Sequence, residues 1–107
     1  MFEWDSKKSD QNEKKHGVTF QDALEIWQSI HLTASDLAQS KGGELRSATI
    51  GFIQGKLFTA VWTKRGESIR IISVRRSRSG EEKIFKNKRL PATFNFGIGN
   101  AFYIQRV

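Results

Sequence analysis

The architecture of this chain is set by residues 48–74, whose sequence is ATIGFIQGKLFTAVWTKRGESIRIISV. Three runs within it, residues 48–53, 57–63 and 68–74, are rich in the β-branched and aromatic residues that favour strands. Three residues separate the first two runs, Gln54-Gly55 among them, and four separate the last two. Because connections this short join antiparallel neighbours, the sequence predicts a three-strand meander.

Two helices are predicted ahead of the meander. Asp5 suits the N-cap of the first, which covers residues 6–16 and ends at Gly17. Thr19 starts the second, with Asp22 at the capping-box position. Its apolar residues recur at three- and four-residue spacing: Phe20, Ala23, Leu24 and Trp27. The polar residues 35–41 that follow are predicted to form a loop.

One helix and an aromatic tail are predicted after the meander. Ser77 or Ser79 caps a helix that Pro91 ends. The tail, residues 92–107, is unusually aromatic for a loop. We expect it either to add a strand at residues 101–105 to the sheet or to present an apolar surface to a partner.

Helices, a meander and a further helix indicate an α+β domain in which helices pack on an antiparallel sheet. The 107 residues allow one domain, over 1–107. Aromatic residues at core-facing positions are predicted to fill its core: Trp4, Phe20, Trp27, Phe52, Phe58 and Trp62. The absence of cysteine fits a reducing cytoplasm, and neither a secretory leader nor a membrane span is expected.

The net charge of +7 is unevenly distributed. Residues 1–40 carry four Lys or Arg against seven Asp or Glu, whereas residues 41–107 carry fourteen against four. A basic half joined to a mildly acidic half favours a surface that faces a polyanion.

Three blocks of sequence carry a family resemblance. Residues 2–5 (FEWD) with 14–20 (KKHGVTF) form the first block, and residues 44–51, with Glu44 and Arg46 ahead of Ile50-Gly51, form the second. The third is residues 63–76, TKRGESIRIISVRR. All three resemble the BrnT family of toxins. The resemblance implies a RelE-like ribonuclease fold, an RNA substrate and a BrnA-like antitoxin, through which alone the toxin would reach DNA.

His16 is the candidate for proton transfer. Two His, no Cys and scattered carboxylates make no plausible metal ligand set, and no cofactor motif is present. The chemistry that remains is metal-independent RNA cleavage, in which the 2′-hydroxyl attacks the adjacent phosphate with help from a base, a proton donor and cations. An imidazole suits either proton role, and the alternative is a His that stabilises the end of its helix.

Basic side chains are the candidates for binding phosphate. Arg46, Arg75 and Arg76 are predicted to be catalytic cations, because a guanidinium donates two hydrogen bonds to a phosphate at once. In a regular strand Arg75 would share a face with Ile71, opposite Arg70 and Arg76. RNA-binding contacts without a part in the chemistry are predicted for Lys15, Lys64, Arg65 and Arg70.

Two interpretations from different classes follow from these residues. The first is a toxin ribonuclease held by its antitoxin, as a homodimer or a heterotetramer with that partner. The second is an inactive module whose basic surface holds RNA, DNA or an acidic partner in an operon-repressing complex. Each Arg has a matching alternative as a structural ion pair, such as Arg70 with Glu67 or Arg46 with Glu44.

Overall fold

A computed structural model describes residues 1–39 and 43–87 and, as backbone, residues 93–94 and 103–104. Its main sheet has the strand order β1-β5-β4-β3-β2. The strands are β1 (Phe2–Glu3), β2 (His31–Gln39), β3 (Leu45–Ile53), β4 (Lys56–Arg65) and β5 (Ser68–Arg76). The predicted meander is the antiparallel centre of this sheet, and the α+β class is confirmed.

The sheet is mixed, however, and not the purely antiparallel meander that was predicted. β1 pairs with β5 in parallel, with Phe2 opposite Ile69. The Phe2 ring also packs on Trp27, with 4.7 Å between ring centroids. A strand of two residues has no period-two pattern, so nothing in the local sequence predicts it.

β2 occupies much of the segment predicted as a loop, residues 35–41, and that prediction is wrong over the described part. Ala34 and Leu37 are both buried, although they are three residues apart. The pairing of β2 with β3 shifts register between Ala34 and Ala38. This irregularity breaks the alternation of buried and exposed residues. The sequence of β2 therefore lacks the alternating apolar and polar residues typical of a strand, and it is similar to that of a polar loop. Residues 40–42 lie outside the described residues.

Three helices lie where the sequence predicts them. They are α1 (Ser6–His16), α2 (Phe20–Ala23), which continues as a 3₁₀ helix (Leu24–Gln28), and α3 (Ser79–Asn87). The Asp5 carboxylate accepts hydrogen bonds from the first turn of α1, and Thr19 and Asp22 form the predicted reciprocal capping box. No described helix is long and apolar enough to cross a membrane.

The two faces of the sheet bury separate apolar clusters. One face, which we call the N-terminal face, packs against α2 and the 3₁₀ helix and includes the buried Phe20 and Phe58. The other, the α3 face, packs against Ile84 and Phe85. Both buried aromatics on the N-terminal face were predicted to lie in the core. The remaining core predictions are only half-buried, at the margins: Trp4, Trp27, Phe52 and Trp62.

The predicted tail strand exists, but it does not join the main sheet. β7 (Tyr103–Ile104) pairs antiparallel with β6 (Thr93–Phe94) as a separate two-stranded sheet, and β7 lies against β2. The prediction of a strand within 101–105 is therefore confirmed, whereas its role as an edge of the main sheet is wrong. The rest of the aromatic tail lies outside the described residues.

α1 is fixed to the edge of β5 by one side chain. The Asn12 amide donates to the carbonyl oxygens of Val18 and Val74, each at 2.9 Å, and its oxygen accepts from the Val74 N–H at 3.0 Å. Beside it, Ser9 Oγ accepts from the Phe20 N–H at 2.9 Å. Since β1 ends before it reaches Val74, Asn12 takes the place of the missing neighbouring strand.

Replacing Asn12 with Ala should destabilise the protein by about 3 kcal/mol, because buried backbone groups of Val18 and Val74 lose their partners at about 1–3 kcal/mol each. Urea unfolding measures this. Gln11→Ala, an exposed change on the same helix, is the control and should alter stability by less than about 0.5 kcal/mol. A loss for Asn12→Ala that is no larger than the control's would contradict the assignment.

Candidate active site

His16 stands in the last turn of α1. The helix ends at Gly17, whose φ of 82° is left-handed and whose N–H donates to the Glu13 carbonyl oxygen at 2.8 Å. Gly17 therefore supplies the C-cap geometry that the end of the helix requires. The His16 side chain is half-buried at this end of the sheet.

Two adjoining clefts share His16. The first, of about 280 Å³, lies between the end of α1 and the β3–β4 hairpin, and the second, of about 230 Å³, lies between α1 and β5. Polar groups in the first come from His16, Gln54, Lys56 and Arg76. Those of the second come from Lys8, Gln11, Asn12, Lys15, His16 and Ser73. The imidazole thus has cationic side chains on both sides.

Arg76 is the exposed arginine of the first cleft. Its guanidinium carbon lies 5.6 Å from the centroid of the Phe58 ring, which is buried and also lines the cleft. This cation–π contact orients the side chain while leaving the guanidinium accessible to an anion.

Arg75 has a different environment, since it is held by a buried carboxylate. Its two terminal nitrogens donate to the two oxygens of Glu81, each at 2.8 Å, and Glu81 is only 1% exposed. Glu81 also accepts from the Thr59 hydroxyl and from the Arg78 N–H, each at 2.9 Å. The bidentate pair fixes α3 to the end of β5.

The N-terminus of α3 differs from the predicted one. Ser79 is the first residue of the helix and not its cap; the N–H of the preceding residue, Arg78, donates to the Glu81 carboxylate. Ser77, the other predicted cap, bonds to the Thr59 hydroxyl instead.

Burial and charge shift two pKa values in this region. Burial, followed by the positive charges of Lys15 and Arg75, lowers the pKa of His16 below its ordinary 6.5. For Glu81, burial is the largest influence and raises the pKa, but the hydrogen bonds from Arg75, Arg78 and Thr59 outweigh it, and the pKa lies below its ordinary 4.5. At neutral pH His16 is therefore neutral and Glu81 ionised.

An irregularity in β5 determines which arginine faces which way. β5 carries one extra residue, Ile72, relative to β4, so the faces of the strand change phase there. Ile71 packs in the cluster of the N-terminal face, whereas Arg75 reaches α3 on the other side. The prediction that Arg75 shares a face with Ile71 is wrong, and Arg76 is the one on that face.

Arg46 and Arg70 lie at the opposite end of the sheet. They flank Thr63, as its cross-strand neighbours on β3 and β5. Arg70 pairs with Glu3 at 3.0 Å, since β1 places Glu3 directly opposite, and the alternative pair with Glu67 is wrong. The Arg46 Nε is buried, and no hydrogen-bond partner for it is found within the part of the chain that the structure describes.

The β4–β5 hairpin carries the remaining two predicted residues at that distant end. Arg65 pairs with Glu44 at 2.9 Å, so the alternative pair of Glu44 with Arg46 is wrong as well. Lys64 is exposed and lines a separate cleft of about 570 Å³ beside Trp62. Lys64 lies eight positions along the extended strand from Lys56, which is near His16, and these eight steps span about 26 Å.

The structure therefore divides the predicted residues into two groups. His16, Lys15, Arg75 and Arg76 meet at one end, and Arg46, Lys64, Arg65 and Arg70 lie at the other. Sequence reasoning missed Gln54, in the β3–β4 hairpin turn, and Lys56, which follows the turn; both approach His16 only in the folded chain. Within residues 1–39 and 43–87, no group of three or more His, Asp or Glu side chains could hold a metal ion.

A protein-family model described as "Ribonuclease toxin, BrnT, of type II toxin-antitoxin system" matches residues 4–81. This range includes both clefts and ends at the carboxylate that holds Arg75. No curated protein matches the chain.

Replacing Glu81 with Gln should cost about 3 kcal/mol of stability at neutral pH, since a buried ion pair loses one charge. Because the pKa of Glu81 is lowered by folding, its contribution is present above the ordinary value of 4.5 and is lost as the pH falls through the folded-state value. Urea midpoints from neutral pH down to about pH 3 should therefore fall less steeply for Glu81→Gln than for the wild type. Glu82→Gln is the matched control, and equal slopes in the two variants would exclude this role for Glu81.

Proposed function

The chain belongs to the BrnT family, the ribonuclease toxins of type II toxin–antitoxin systems, and on this premise we propose that it is a metal-independent endoribonuclease that acts on cytoplasmic RNA. The family implies an RNA substrate and an antitoxin partner. The observation that supports this site is the position of His16, a neutral imidazole between two clefts, with Arg76 and Lys56 in one and Lys15 in the other.

His16 acts as the general base in the reaction that we propose. It accepts the proton of the RNA 2′-hydroxyl as that oxygen attacks the adjacent phosphorus, because a lowered pKa keeps the imidazole unprotonated at neutral pH. The O2′–P bond forms and the P–O5′ bond breaks, and the departing 5′-oxygen takes a proton from solvent. Arg76 and Lys56 stabilise the negative charge of the pentavalent phosphate.

Arg75 is a positioning residue in this proposal, since its guanidinium is already engaged by Glu81. Its charge contributes to keeping His16 neutral. Lys64, Arg65 and Arg70 keep their predicted role as contacts for the RNA backbone away from the cleavage point. Arg46, which was predicted to be catalytic, is reassigned to this group because it lies at the same end of the sheet. An RNA strand that spans the sheet would contact these residues at one end and the His16 clefts at the other.

We infer that the partner is a BrnA-like antitoxin and that the α+β fold is RelE-like. DNA would be bound by the antitoxin and not by this chain. The tail, whose β7 lies against β2, is the surface we assign to that partner or to a second copy, in a homodimer or a heterotetramer. We further infer that residues 1–107 form one domain.

The decisive experiment is incubation of the purified protein with RNA in EDTA, in which we expect cleavage to persist. His16→Ala should lower the rate by about 100- to 10,000-fold. His31→Ala is the matched control, because His31 is exposed, lines neither cleft, and contacts the nearby Ser29 carbonyl oxygen at 2.7 Å. The wild-type rate should rise with pH along a limb centred below 6.5. Cleavage that stops in EDTA, or an unchanged rate for His16→Ala, contradicts the mechanism.

We expect Arg76→Ala to lose RNA cleavage and Arg75→Ala to lose stability. Removing the exposed Arg76 should lower cleavage by about 100-fold or more with an unchanged melting temperature. Removing Arg75 leaves the Glu81 charge buried and unpaired and should cost about 3 kcal/mol of stability. Cleavage rates and thermal melts of both variants separate these effects. If Arg76→Ala is destabilised but its folded fraction cleaves RNA at the normal rate, Arg76 has a structural role and not a catalytic one.

A further inference from the structure

The β3–β4 hairpin turn contributes to the cleft that holds His16 and Arg76. Gln54 and Gly55 form this turn, with φ values of 49° and 79°. Gln54 lines the cleft and is exposed. It is the only described residue other than Gly with a positive φ.

A two-residue turn with two positive φ values favours Gly, Asn or Asp in its first position. Gly has no Cβ to clash with the backbone, and the short polar side chains of Asn and Asp can hydrogen-bond locally. Gln has one methylene more than Asn and gains nothing in return within the turn. Backbone strain of this kind persists where the surroundings hold it and is concentrated at binding sites. Gln54 combines this uncommon backbone geometry with a place in the lining of the cleft, which makes it a candidate for ligand binding.

The turn is held rigidly against the N-terminal face. The Gln54 N–H donates to the Glu25 carboxylate at 2.8 Å, and Glu25 belongs to the 3₁₀ helix. The same helix packs tightly on β3 nearby, because a Cβ added to Gly51 would lie 2.7 Å from Ile26 Cγ2. The backbone of Gln54 is thus anchored beside the first cleft, which gives a specificity-determining side chain a defined starting point.

We propose that Gln54 is the base-reading residue of the proposed ribonuclease and that its ligand is an adenine of single-stranded RNA. A Gln amide offers one acceptor and two donors, and it pairs in bidentate fashion with adenine N6 and N7. Gln54 and Arg76 line the same cleft, so a base next to a phosphate bound by Arg76 would lie on the side of the turn. This assignment rests on the proposed function, because it places the base beside the same His16 cleft.

The test measures binding without cleavage. Four 2′-O-methyl oligonucleotides, of A, C, G or U only, bind but have no 2′-hydroxyl to react. We expect the wild type to bind the A oligonucleotide about tenfold more tightly than the others, within the range of one bidentate base contact. Gln54→Gly should bind all four alike, with an unchanged or higher melting temperature, because Gly suits the turn.

Two further variants distinguish a loss of base preference from a loss of affinity for all four oligonucleotides. Gln21→Ala, an exposed Gln on α2, should keep the preference for A. Arg76→Ala should weaken all four oligonucleotides by a similar factor, because a phosphate contact does not distinguish bases. Equal binding of the four by the wild type, or a preference for A that survives in Gln54→Gly, overturns the assignment even if RNA cleavage in EDTA persists. Loss of the preference in Gln54→Gly supports it even if the cleavage mechanism fails.

Discussion

The three hydrogen bonds of Asn12 are the constraint on which the His16 end of the molecule depends. A sheet edge left open where β1 stops would expose the backbone of Val74 and leave α1 free to move. The amide of Asn12 satisfies that edge and the Val18 carbonyl together, and so sets the position of the last turn of α1. The separation of His16 from Arg76, and with it the width of the first cleft, follows from this attachment.

Local signals in the sequence predicted much of the fold, and non-local ones explain what was missed. The meander, the three helices and the Thr19–Asp22 capping box follow from periodicity, short turns and caps. β1 depends on a partner 67 positions later, since Phe2 pairs with Ile69. In β2 a register shift interrupts the alternation of buried and exposed residues. Neither leaves a pattern within a window of a dozen residues.

The residue types of the site were predictable, but their partners were not. Sequence alone cannot show which arginines form an ion pair with a distant carboxylate. Arg70 meets Glu3 across the sheet and Arg75 meets Glu81 across a helix junction, whereas Arg76 rests on an aromatic ring. Gln54 gave one usable signal, an uncommon residue at the first position of a tight hairpin turn.

The extra residue in β5 has a consequence for comparing this chain with its relatives. Arg75 and Arg76 are adjacent and chemically identical, yet one stabilises the helix junction and the other lines the cleft. Ile72 alone determines which is which. In a relative that lacks this extra residue, the first arginine of the pair would face the cleft and the second would face α3, although the Arg-Arg sequence is the same. A sequence alignment therefore has to place its gap at the bulge before the two arginines can be compared between relatives.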